Sequence, residues 1–187
     1  MMDLHEAIHG RRSIKQFTGR VIGREEIERL LEAAVQAPNH RLTQPWRFYV
    51  LGPKARRAYG EVLGSRKARK VEDPEAARAV AEKVAAQEAA LPGMIVVSMT
   101  LDQSPEVREE DFAATMMAVQ NLLLAAHAAG LGTHVKSGAI LEDPRTRAAV
   151  GVGENERIVA TIQLGEPAAV PEAKARRGAA EVTTWIP

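Results

Sequence analysis

Apolar residues recur along this chain at two spacings, and each change of spacing marks an element. Asp3 is followed by Glu6, the spacing of a capping box, so a first helix is expected to start near Leu4 and run out around Gly10. After Gly23, the residues Ile27, Leu30, Leu31, Ala34 and Val35 keep the helical period until Pro38 stops it. Phe48-Tyr49-Val50-Leu51 predicts a short strand, closed by Gly52-Pro53. Residues Lys54 to Ala90 are rich in Ala, Glu, Arg and Lys, a helix-favouring stretch that Pro74 divides in two. Met94 to Met99 is a continuous apolar run after Pro92-Gly93, the mark of a buried strand. A long apolar helix follows, Asp111 to Gly130, with Gly130 as its C-cap. Thr133-His134-Val135 predicts another strand, then a helix, and Arg157 to Leu164 a last long strand ended by Gly165-Glu166-Pro167.

That order gives an α+β layout around a small sheet. The tail from Ala168 is Ala-, Pro- and Arg-rich, yet it ends in the strand-like Val182-Thr183-Thr184-Trp185-Ile186. An apolar end on a polar tail is expected to dock somewhere. No internal repeat or second domain is legible, so residues 1–187 are expected to form one domain.

Composition narrows the function. The 25 Lys and Arg residues balance 24 Asp and Glu, which argues against a dedicated nucleic-acid binder. With no cysteine, disulfides, thiolate catalysis and Cys-ligated metal centres are excluded. The start of the chain lacks the apolar stretch of a secretory signal. Thr115, Gln120, Asn121 and His127 interrupt the most apolar region, which therefore reads as a buried helix. A cytoplasmic protein is expected.

His5-Glu6-Ala7-Ile8-His9 matches the H-E-x-x-H pattern, which on a helix sets two histidines on one face for zinc and a glutamate to activate water. Its context is wrong. No strand is expected before residue 5 to hold a substrate, and no third ligand follows at the usual spacing. The simpler reading is an amphipathic first helix with Leu4 and Ile8 buried and the histidines on the surface.

Three other segments carry candidate chemistry. Arg11-Arg12-Ser13-Ile14-Lys15-Gln16-Phe17 places three cations and a hydroxyl together, a donor set that suits a phosphate. On charge pattern alone a solvated basic turn is the simpler reading. Ala37-Pro38-Asn39-His40 leads to Gln44-Pro45-Trp46-Arg47-Phe48, a polar loop entering a strand. Asn39 and Gln44 each donate and accept, as the edge of a heteroaromatic ring requires, while Trp46 is expected to pack in the core. In Gly130-Leu131-Gly132-Thr133-His134-Val135-Lys136-Ser137-Gly138, close glycines bring backbone near a ligand or make a tight turn. Lys136 and Ser137 could complete a phosphate site there. Neither a Walker loop nor G-x-G-x-x-G is present.

Taken together and in order, R-R-S-x-K-x-F, A-P-N-H-x-x-x-Q-P-W-R-F, G-L-G with K-S-G, a strand ending L-G-E-P and a terminal V-T-T-W resemble the nitroreductase superfamily, especially its short-chain members. The resemblance covers nearly the whole chain. It implies a mainly antiparallel sheet flanked by helices, and an intertwined homodimer with FMN at the subunit interface. The long helix would pack across that interface, and the tail, from about residue 168, would dock on the partner.

Carried over by position, Arg11 and Ser13 would bind flavin phosphate with Lys136. Arg12 and Lys15 would lie along the ribityl chain and the pyrimidine edge. His40, with Gln36 or Asn39, would approach from the other subunit, and the Val135 backbone would lie near the cofactor. The family often has Arg where Lys136 stands, and can carry an aromatic where Val135 stands. The implied activity is a two-step relay: NAD(P)H reduces the flavin, and an acceptor such as a quinone or nitroaromatic then takes the electrons. Such a relay assigns no catalytic side chain. The alternatives are a specialised flavin dehydrogenase and an FMN-binding module without turnover. Lys54 to Ala90 reads either as a cover over the pocket or as an ordinary solvated face.

Overall fold

The computed structural model describes residues 2–187. The first helix, α1 (Leu4–Gly10), begins on a reciprocal cap. The Asp3 carboxylate accepts from the backbone N–H of Glu6 at 3.0 Å, and the Glu6 carboxylate accepts from that of Asp3 at 3.2 Å. Two otherwise orphaned donors are thereby satisfied. The glutamate of the zinc-like motif thus serves as a cap. Among the described residues, no group of three or more His, Cys, Asp or Glu could hold a metal ion.

The remaining elements follow the expected order: α2 (Arg24–Ala34), β1 (Trp46–Val50), α3 (Pro53–Ala68), α4 (Pro74–Ala89), β2 (Gly93–Thr100), α5 (Pro105–Ala128), β3 (Gly132–Lys136), α6 (Pro144–Val150) and β4 (Glu156–Gly165). Proline opens four of these helices, where its missing N–H costs nothing. The strands run antiparallel in the order β1-β2-β4-β3.

Two apolar clusters cover the two faces of this sheet. Along β2, Ile95, Val97 and Met99 join one cluster with α2 and α5, while Met94 and Val96 join the other with Tyr59 and Val62 of α3 and Val150 of α6. The period of two in the strand sorts its side chains between layers. Trp46 is buried in the first cluster, as expected. Helix α3 is a packed layer of this second core, and α4 buries Val84, Ala85 and Glu88 and lies against Gly60 and Gly64 of α3, so the pair is more than a solvated face.

Three expectations need correction. The long helix starts at Pro105, six residues before the expected Asp111. Its first turns are charged and outward-facing at Glu106 and Glu109, so the apolar pattern hides them. Leu4 and Ile8 are exposed, at 65% and 50%; Ala7 is the residue that α1 buries. Val182 to Ile186 is not a strand. A short 3-10 turn, Ala179–Val182, is followed by irregular chain, because no strand lies alongside to pair with it. The tail from Ala168 is exposed throughout, with Trp185 and Ile186 both at 89%. Among the described residues, no helix is long and apolar enough to cross a membrane.

Candidate functional site

Helix α5 ends on the expected glycine. Gly130 has φ 77°, and the N–H of Leu131 returns to the carbonyl of Ala126 at 2.8 Å, which closes the helix and turns the chain into β3. Strand β3 is an edge of the sheet. The basic N-terminal segment lies along it, with a parallel bridge from Ser13 to Thr133 and a hydrogen bond from the Ile14 N–H to the Thr133 carbonyl at 2.9 Å. Ile14 fits there because Gly132 has no side chain: an added Cβ would sit 2.6 Å from Ile14 Cγ1. Gly132 therefore serves a close approach of two segments. The close glycine spacing predicts backbone near a ligand or a tight turn; at Gly132 the approaching group is instead the Ile14 side chain of the same chain.

This docking brings Arg11, Arg12, Ser13 and Lys15 together with the 132–137 segment. Arg11, Arg12, Ile14, His127 and Thr133 line a cleft of about 220 Å³. The Arg12 guanidinium donates to the carbonyls of His9 and Arg11 and is thereby fixed in place. Among the described residues, the side chains of Arg11, Ser13 and Lys15 make no hydrogen bond or ion pair. Two histidines register the positive field. Burial first, and then Arg11 and Arg12, lower the pKa of His127. Burial also lowers that of His134; its Gln163 contact opposes the shift, and Lys136 and Lys15 add to it. Partly unpaired cations beside a hydroxyl at the mouth of a cleft suit an anionic ligand.

Lys136, expected at a phosphate site, already has a partner within the chain. Its ammonium donates to Glu88 Oε1 at 2.8 Å. The Gln163 amide donates to both oxygens of the same carboxylate, at 3.2 and 3.0 Å. Val135, one residue before, turns to the opposite face and packs against the first apolar cluster. Ser137 is exposed just beyond the strand. Glu88 carries no motif signal. It lies in the charged stretch where any acid looks like surface.

The second segment stands elsewhere. His40 opens a 3-10 turn, His40–Leu42, and its Nδ1 lies 3.1 Å from Glu110 Oε1. Arg41 Nε donates to Glu110 Oε2 at 3.0 Å. Asn39 is engaged within its own turn: its carbonyl oxygen accepts from the Gln44 N–H at 2.6 Å, and its amide donates to Thr43 Oγ1 at 3.1 Å. Gln36 is exposed beyond the end of α2. Glu110 and His127 lie at opposite ends of α5, 17 residues apart, or ~25 Å at 1.5 Å per residue. One copy of the chain therefore does not bring His40 to the basic cleft. A larger groove of about 750 Å³, lined by Val21, Ile27, Leu31, Val50 and Leu91, contains none of the expected site residues.

The nitroreductase family profile matches residues 8–166. The Bacillus subtilis protein "Putative NAD(P)H nitroreductase YfhC" is 36% identical over 174 residues, which span 92% of this chain and 89% of that protein. Escherichia coli YdjA, of the same description, is 30% identical over 167 residues, 89% of each chain. Among solved structures, a nitroreductase-like family protein from Bacillus cereus superposes with a TM-score of 0.85 at 31% identity, over 100% of this chain and 97% of that one. A Desulfovibrio desulfuricans protein solved in complex with FMN gives 0.74 at 26%, over 100% and 98%. With the family profile over most of the chain, relatives at 36% and 30% identity over about nine-tenths of it, and a superposition over its whole length, this chain belongs to the nitroreductase family.

Proposed function

We propose that the protein is an FMN-dependent NAD(P)H oxidoreductase that works as a homodimer and reduces small oxidised acceptors such as quinones or nitroaromatics. The observation that carries this reading is the basic segment on edge strand β3, where Arg11 and Arg12 line a cleft and the side chains of Arg11, Ser13 and Lys15 have no partner among the described residues, while His40 pairs with Glu110, ~25 Å along α5 from His127 of that cleft. The FMN complex of the Desulfovibrio relative and the nicotinamide in the names of the Bacillus and Escherichia relatives support it.

The donor set fits the cofactor. Arg11 and Ser13 would hold the phosphate, with Lys136 and Ser137 at its margin. Arg12, already fixed by two carbonyls, and Lys15 would follow the ribityl chain and the pyrimidine edge. The Val135 backbone would flank the ring. A cation at the pyrimidine edge stabilises the reduced, anionic ring and favours its reduction. Bound FMN supplies the redox chemistry, taking two electrons and a proton from NAD(P)H and returning them to the acceptor.

A second copy would complete the site. Pairing about a two-fold axis across α5 would bring His40, with Gln36 and Asn39, from the partner to the basic cleft. Exposed apolar side chains support such a surface: Leu4 and Ile8 on α1 and Met117 on α5. The tail from Ala168, with Val182, Trp185 and Ile186 bare, would dock on the partner as the last part of a single folding unit.

Purified protein is expected to be a yellow dimer that NADH or NADPH bleaches in the absence of oxygen. Colourless protein that takes up no added FMN would overturn the reading. Yellow protein that neither nicotinamide reduces would point to an FMN-binding module instead.

A further inference from the structure

The basic cluster around β3 contains one buried acid. Glu88 is 5% exposed and lies in the last turn of α4. It takes the Lys136 ammonium at 2.8 Å and both contacts of the Gln163 amide, and Gln163 in turn meets His134 Nδ1 at 3.3 Å. Lys136, Gln163 and His134 thus share one face of the sheet under α4, in register across the β3–β4 pairing of His134 with Gln163. Helix packing fixes the carboxylate there. A Cβ on Gly60 of α3 would lie 3.0 Å from Glu88 Cβ and 2.8 Å from Ala85 Cα, so α3 presses directly on the turn that carries Glu88.

An ammonium at the margin of a phosphate site normally adds to phosphate affinity. Here its charge is already balanced by an anion that cannot move away, because its helix is packed and its other contacts are satisfied. A phosphate drawn to the same ammonium meets that carboxylate as a like charge, in a site where water screens poorly. We propose that Glu88 is a positioning residue that competes with the flavin phosphate for Lys136 and so weakens cofactor binding. This rests on the reading that the 11–15 and 135–137 segments hold FMN. The competition makes cofactor loading adjustable by one acid outside the cleft.

The test titrates flavin-free full-length protein with FMN and, separately, with riboflavin, which lacks the phosphate. Glu88→Gln keeps the size of the side chain and an acceptor for Lys136. It is expected to bind FMN about tenfold more tightly and riboflavin unchanged. Lys136→Gln should weaken FMN binding about tenfold, and the double variant should match Lys136→Gln alone, because nothing remains to compete for. Glu88→Asp, which withdraws the carboxylate, should fall between wild type and Glu88→Gln; it carries the test if Glu88→Gln fails to fold. Unchanged or weaker FMN binding in the Glu88 variants overturns the proposal. So does equal tightening with Lys136 absent, or equal tightening for riboflavin. Failure of the FMN reading itself looks different: wild-type protein would bind neither flavin.

Discussion

Arg11→Ala is expected to weaken FMN binding by ~2–3 kcal/mol, roughly 30- to 150-fold. Arg11 is partly buried beside the cleft, and its charge lowers the pKa of the neighbouring His127. Arg12 is tied to two carbonyls, whereas Arg11 has no internal partner among the described residues, so its charge is uncommitted. Phosphate accepts two parallel bonds from a guanidinium, and charge-assisted bonds of this kind are about twice as strong as neutral ones. Arg11→Lys should fall between wild type and Arg11→Ala, since it keeps the charge and loses the fork. Riboflavin separates phosphate contact from a general loss of shape: Arg11→Ala should hardly change its affinity. Titration of flavin-free protein with both ligands decides the matter, and an FMN affinity within twofold of wild type would remove Arg11 from the phosphate site.

The elements of this fold are legible where periodicity and punctuation agree. The capping box at Asp3, the Pro74 divide and the apolar run of β2 each give a local signal, and each appears in the structure. The start of α5 is not legible in this way, because the pattern records burial and the first turns of that helix are exposed. The tail shows the opposite failure. Val182 to Ile186 has strand-like composition, but a strand needs a neighbour, and this one finds none within its own chain. Leu4 and Ile8 likewise have an apolar pattern that a single copy leaves uncovered.

The candidate site divides along the same line. Segments 11–17 and 130–138 suggest themselves by charge and glycine spacing, and β3 brings them side by side. The 36–40 segment belongs with them by motif order, yet one chain holds His40 at the far end of α5. The Lys136–Glu88 pair had no local signal at all. It joins residues 48 positions apart, and an isolated glutamate in a helix rich in Ala, Glu and Lys is indistinguishable from a surface residue.

Gly64→Leu tests the layer that holds Glu88 in place, and it sets two local rules against each other. Gly64 lies inside α3, where leucine is a better helix former by somewhat under ~1 kcal/mol, so propensity alone predicts a gain in stability. Packing predicts the reverse. A Cβ at Gly64 would come within 2.5 Å of the Ala81 carbonyl oxygen and 2.9 Å of Ala81 Cα, both backbone atoms of α4 that no rotamer change can move aside. Gly60 meets Ala85 in the same manner one turn earlier, so α3 and α4 touch along a seam of Gly60, Gly64, Ala81 and Ala85. Forcing extra atoms into a close-packed seam costs ~1–3 kcal/mol, and a backbone clash along two helices takes the upper end or beyond. The expected net loss is therefore about 2–3 kcal/mol, and Gly64→Ala, with the same clash but less bulk, should lose less. Lys67→Ala, on the exposed side of the same helix, should stay within ~0.5 kcal/mol. Urea unfolding of flavin-free protein at one fixed concentration measures all three, so that neither cofactor nor assembly shifts the midpoint. A Gly64→Leu protein as stable as wild type would show that the hairpin separates at little cost, and would leave Glu88 without the rigid support that its competition for Lys136 requires.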